Sequence, residues 1–191
     1  MDLISHYHRH VGKIIVFHIL AFLVSLWSYK EILPLLPLFL YPLTLITPGM
    51  IFLYMMFLCV IYLAKKPFPL FTYFLFLMMF TFGLTGIVFF PTYLIDQGFT
   101  WWRFQNVVGH FLFGLQTIIV WQSIERISWW KQSVAVGICA YIIYLFFTWK
   151  TSPYFYSDYP WMIVIEFIAF GSVLLAFFFV NQRLKNRAFP Y

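Results

Sequence analysis

Charge is what this sequence has least of. Only 9% of its 191 residues are Asp, Glu, Lys or Arg, against about 25% in a soluble domain. A water-soluble fold covers its core with polar side chains, and this supply is too small to do so. Intrinsic disorder is excluded too, because it needs high charge and low hydrophobicity. Cysteine is equally scarce. Cys59 and Cys139 are the only two, too few for a disulfide scaffold. Both sit inside apolar runs, where a thiol reads as a small packing group. They offer no metal set and no redox motif. No internal repeat is visible.

What is present is apolar and aromatic: 63% hydrophobic residues, 25% of all residues being Phe, Trp or Tyr. That composition points to an integral membrane protein. A spanning helix takes about 20 apolar residues. Six of them would occupy about 120 of the 191 residues, leaving no room for a separate soluble domain. Any chemistry is therefore expected in or at the membrane.

Six apolar runs can be drawn, at 12–29, 42–64, 70–93, 105–124, 131–149 and 161–182. They are long and continuous, without the every-second-residue alternation of barrel strands, so helices are expected. The fold class is thus all-α, a polytopic six-helix bundle forming one integral membrane domain over 1–191. The stretch from Ile32 to Pro37 is apolar but holds Pro34 and Pro37, and reads as an interfacial or re-entrant loop. The first run ends in Ser25-Leu26-Trp27-Ser28-Tyr29. Bulky aromatics stand where a signal-peptide cleavage site needs small residues, so this run is expected to be retained.

Basic residues set the orientation. Six spans place both termini on one side, together with Arg9, Lys13, Lys65, Lys66, Arg126, Lys131, Arg183, Lys185 and Arg187. Lys30, Arg103 and Lys150 fall on the other. Nine against three makes the terminal side cytoplasmic. The net charge of +6 then follows from topology, and no nucleic-acid partner is expected. The expected setting is multi-pass, in the cytoplasmic membrane if the source is bacterial. Trp101, Trp102, Trp129, Trp130, Trp149 and Trp161 mark the span edges as an aromatic belt.

Ionisable groups inside spans are costly and point to function. They are His18, His110 and Glu166. His110 and Glu166 each lie about five residues in from the outer edge of their spans, about 7 Å deep. His18 lies near the cytoplasmic end of the first. The second span opens Pro42-Leu43-Thr44-Leu45-Ile46-Thr47-Pro48. Thr44 and Thr47 share a face. Pro48 cannot donate to the carbonyl of Thr44, so a kink is expected there. A hydroxyl pair, an imidazole and a carboxyl are thus expected near one depth. Asn106, His110 and Thr117 share a face of the fourth span; Tyr141, Tyr144 and Thr148 one of the fifth; Thr81, Thr85 and Thr92 one of the third. The loop from Thr151 to Pro160, with Tyr154, is placed to cover a pocket opening outward. The ordinary reading stands beside this one. Thr and Ser in spanning helices commonly bond their own backbone, and His110 and Glu166 can simply pair. His6, His8 and His10 lack a third ligand at fixed spacing, so a membrane-hugging tail is the better reading, and no metal or cofactor is expected.

The six-span plan, the Thr44-Leu45-Ile46-Thr47 start of the second span, His110 early in the fourth, and the aromatic run from Ala140 into Ser152-Pro153-Tyr154-Phe155 resemble the androgen-induced transmembrane hydrolases and their bacterial relatives. The similarity covers about residues 40–180 and is diffuse. It implies an intramembrane threonine hydrolase of fatty acid esters, with Thr44 as nucleophile and His110 as base. Thr47 stands where that family has an asparagine, and no proline follows within His110-Phe111-Leu112-Phe113-Gly114. A neutral imidazole can take a hydroxyl proton. Thr47, Glu166, Asn106, Tyr141 and Tyr154 would support the pair or line the pocket. Membrane lipids, or a lipid-like or small amphipathic substrate, would be the partners. Two other classes fit the composition: a six-span substrate-capture component of a transporter, and a non-catalytic membrane scaffold. Ala21 and Ser25 give only a faint small-residue stripe for docking a transport partner.

Overall fold

A computed structural model of the chain describes residues 3–30, 33–65, 68–148 and 161–188. The elements of the described residues are all helical, with no strand among them. Helix is the spanning structure in which a continuous apolar run satisfies its own backbone. The helices are α1 (Leu3–Ser28), α2 (Tyr41–Thr44), α3 (Ile46–Leu58), α4 (Pro69–Gln97), α5 (Trp101–Gln122), α6 (Trp129–Thr148) and α7 (Met162–Ala188). Two 3-10 turns, Leu33–Leu35 and Leu38–Leu40, occupy the double-proline stretch. Their Leu35, Leu38 and Phe39 are exposed, and no long helix forms there.

Among the described residues, five stretches are long and apolar enough to cross a membrane: Arg9–Ser28, Ile46–Leu63, Pro69–Gln97, Trp129–Thr148 and Met162–Leu184. α5 has the length, at 22 residues, but Arg103, Gln105, Asn106, His110, Gln116 and Gln122 lower its hydropathy. The helices overrun the apolar runs at several ends. α4 continues to Gln97, through Pro91.

The second run is not one uniform helix. α2 ends at Thr44, Leu45 leaves helical geometry at φ −84, ψ 26, and α3 begins at Ile46. The break falls beside the carbonyl that Pro48 cannot serve, as its missing N–H requires. At the other end Cys59–Leu63 forms a π turn, closed by Ala64 N–H donating to the Cys59 carbonyl at 2.9 Å.

The chain divides into two compact units, 1–68 with 145–157, and 69–144 with 158–191. In the first, α1 lies along α3. His18 meets the Tyr54 ring at 5.0 Å and Phe22 meets Phe52 at 5.9 Å between centroids. In the second, α4 is central. Its most apolar window is 67% buried, against 11% for α1. A helix apolar on all sides has to be enclosed or lipid-facing, and α4 is enclosed. α5 and α7 pack on it. α6 reaches it where the Cys139 thiol donates to the Met78 sulfur at 3.4 Å. Val16, Phe17, Leu20, Leu23, Val24 and Trp27 of α1 are all exposed. A continuous apolar surface of this kind suits acyl chains, not water.

Candidate functional site

The α4–α5 hairpin sets the position of His110. Gly98 takes φ +78 between the helices, a conformation that glycine adopts without steric cost. Thr100 caps α5, its Oγ accepting from Arg103 N–H at 3.2 Å. The Arg103 guanidinium turns back to donate to the carbonyls of Gln97 and Gly98. It thereby satisfies the end of α4, where a cation is favoured. The hairpin is therefore held at its tip by three residues.

From that tip the two helices run close together. A Cβ on Gly83 would stand 3.2 Å from Gly114 N and 3.3 Å from its Cα. This is the small-residue contact by which membrane helices approach. One turn nearer the tip, a Cβ on Gly86 would come within 2.0 Å of His110 Cδ2, 2.4 Å of Cγ and 2.9 Å of Cβ. The missing side chain of Gly86 is the space the imidazole fills. The ring lies 4.3 Å from Phe90 and 6.0 Å from Phe113 between centroids, and His110 is 8% exposed. Its Nδ1 lies 2.9 Å from the Asn106 carbonyl. A carbonyl only accepts, so Nδ1 carries the proton, and in the neutral ring Nε2 holds the lone pair. Sequence reasoning identified His110 but missed Gly83 and Gly86. Their three-residue spacing within an apolar helix was the available signal.

Thr44 is 2% exposed, and its hydroxyl donates to the Leu40 carbonyl at 3.1 Å. Thr47 shares a hydrogen bond with Tyr29, just past the end of α1. His18 is buried, with Nδ1 2.7 Å from the Ile14 carbonyl. Own-helix bonding recurs at Thr92, Thr117, Ser123 and Ser172, as expected of short hydroxyl side chains in helices. Glu166 is half-buried on α7, with no bond to His110 among the described residues. Asn106 contributes its carbonyl. Tyr141 is 60% exposed on α6. Tyr154 and its loop lie outside the described residues. No group of three or more His, Cys, Asp or Glu able to hold a metal occurs among the described residues.

Within the second unit α4, α5 and α7 enclose a groove of about 410 Å³. Phe76, Phe80, Leu84 and Ile87 form one wall, Phe111 to Trp121 of α5 another, and Phe179 closes it. Phe111 and Gly114 bracket the turn that follows His110. Thr117, the hydroxyl residue in the wall, is already bonded to the Phe113 carbonyl at 2.9 Å.

At the far end of α5, Arg183 of α7 donates to the carbonyls of Trp121 and Gln122. Its guanidinium stacks 5.1 Å over the Trp121 ring. Arg183 is thus a second helix-end cation, one that the sequence offered only as an orientation signal. No protein-family model, no curated protein and no solved structure matches this chain.

Proposed function

We propose that this chain is a six-span membrane protein with both termini in the cytoplasm, which hydrolyses lipid esters within the membrane using His110 as base and Thr44 as nucleophile. The orientation rests on the nine-to-three division of basic residues. α5 supplies the remaining span, the fourth in chain order. Its 22 residues extend about 33 Å, enough for a hydrocarbon core of about 30 Å. The observation that supports catalysis is the setting of His110: one tautomer fixed by Asn106, and a shape-matched niche at Gly86. Such an imidazole carries its lone pair at Nε2, the atom a general base would use.

In this reading the Thr44 oxygen attacks the ester carbonyl and its proton passes to Nε2. The proton then moves to the departing alcohol as the ester C–O bond breaks. Water repeats the sequence on the acyl-threonine, releasing the acid and restoring the hydroxyl. Thr44 must first release the Leu40 carbonyl, a bond worth about 1 kcal/mol net. Asn106 holds the base. Thr47, Glu166, Tyr141 and Tyr154 are the supporting candidates.

The test is hydrolysis of branched fatty acid esters by purified protein, with Thr44→Ala, His110→Ala and the double variant. Thr44 and His110 lie in different units, so the double variant matters. Residues that act as one catalytic unit lose activity non-additively. Full activity in either single variant, or none in the wild type, refutes the reading. The own-helix bonds of Thr44 and His18 favour a second reading, a non-catalytic component that binds a lipid-like or small amphipathic molecule. Wild-type protein that binds such esters without cleaving them supports it.

A further inference from the structure

We infer that the α4–α5–α7 groove is the seat of one acyl chain of a resident anionic phospholipid from the cytoplasmic leaflet. The inference rests on the orientation proposed above, and not on the hydrolase reading. Four observations carry it.

The first is chemistry. The wall is Phe76, Phe80, Leu84, Ile87, Phe179 and the apolar face of α5, and Thr117 is satisfied within its own helix. The Trp121 indole N–H, at the end of the groove, is the one lining donor among the described residues without a hydrogen-bond partner; the rest of the wall is apolar, and an acyl chain loses nothing by leaving the bilayer for such a surface. The second is size. A volume of about 410 Å³ lies in the range of ligand sites, about 300–1,000 Å³. The third is length and access. The α5 wall runs from Phe111 to Trp121, about 15 Å at the helical rise, which is one leaflet's share of a core of about 30 Å. Phe111, Leu115 and Ile118 are exposed along it, so the groove opens sideways, towards lipid.

The fourth is charge at one end. The groove ends at Trp121, where Arg183 stacks. The loop that follows α5 carries exposed Arg126, and Lys131 stands exposed in the first turn of α6. The acidic neighbour in that loop is Glu125, also exposed. Three cations against one anion lie at the headgroup level of the cytoplasmic leaflet, where basic residues attract anionic lipid. Among the described residues, the outer end, at Phe111 and Ile87, has no such cluster.

The experiment uses the full chain in nanodiscs of equal phosphatidylglycerol and phosphatidylcholine, released into the mass spectrometer as the intact protein. The expected result is one retained phospholipid per chain, with phosphatidylglycerol favoured several-fold. Leu84→Trp and Leu115→Trp, which fill the groove, should lower retention about tenfold at an unchanged unfolding midpoint. Arg126→Gln with Lys131→Gln touches only exposed side chains. It should keep retention but bring the preference for phosphatidylglycerol close to one. Wild-type protein that retains no lipid overturns the inference, as does retention unaltered by both groove-filling variants. Equal retention of the two lipids overturns its headgroup part. Retained lysolipid or free fatty acid would mark the groove as a substrate site and overturn the resident-lipid assignment. Loss of hydrolase activity alone, with retention intact, would bear on the catalytic reading only.

Discussion

Replacing Gly86 with alanine tests whether the imidazole niche is built by the helix crossing. The added Cβ would meet His110 Cδ2 at 2.0 Å, Cγ at 2.4 Å and Cβ at 2.9 Å. Turning χ1 of His110 removes the first two contacts but cannot move its own Cβ. Carbon atoms settle at about 3.5–4.0 Å, so α4 and α5 must also part by about 0.6–1 Å. Overpacking of this kind costs about 1–3 kcal/mol. Displacing the ring also forfeits its bond to the Asn106 carbonyl, about 1 kcal/mol. Alanine returns up to about 1 kcal/mol of helix propensity. A net loss of about 1–3 kcal/mol is expected in reversible unfolding in mixed micelles. Gly109→Ala is the control, because that position lies beside His110 in sequence but has no atom within 4 Å of a built Cβ. It should be neutral or slightly stabilising. In a His110→Ala background, Gly86→Ala should cost less, because the ring contacts vanish while the Cβ contact stays. A coupling energy of about 1–2 kcal/mol is the expected signature. Gly86→Ala as stable as the wild type, or Gly109→Ala as damaging as Gly86→Ala, would refute the argument.

Arg183→Ala removes the donors to the Trp121 and Gln122 carbonyls and should cost about 1.5–3 kcal/mol, as hydrogen bonds to charged groups do. Arg183→Lys should recover less than half in the same unfolding assay, because an ammonium lacks the planar fork. Pro48→Ala restores a donor for the Thr44 carbonyl, so α2 and α3 should join through Leu45. Hydrogen exchange reads this directly: amides 46–49 should gain protection, and unchanged exchange would show that the break has another cause.

The helices were legible because each rests on a local signal. Apolar runs of sufficient length leave the backbone little choice but to bond within its own segment, and Pro48 and Pro34 mark their interruptions by chemistry alone. His110 and Thr44 were legible for the same reason, as polar groups in apolar surroundings. What each of them bonds to was not. Thr44 turns to Leu40 and His110 to Asn106, and both choices are open to any such residue four places along a helix. The niche itself depends on which faces of α4 and α5 meet. That depends in turn on Gly83 finding Gly114 across about 30 residues of sequence, a pairing that no window along one helix contains. Arg103 and Arg183 show the same limit from the side of charge. In the sequence both are counted as topology signals, one outside and one inside. In the fold both close the carbonyl end of a helix, Arg103 that of α4 and Arg183 that of α5. The two roles are compatible, because the end of a spanning helix is also the membrane boundary. A cation placed there by topology finds unpaired carbonyls within reach. Under the proposed orientation, the same few charges orient the chain and finish its helices, so an apolar sequence needs few of them.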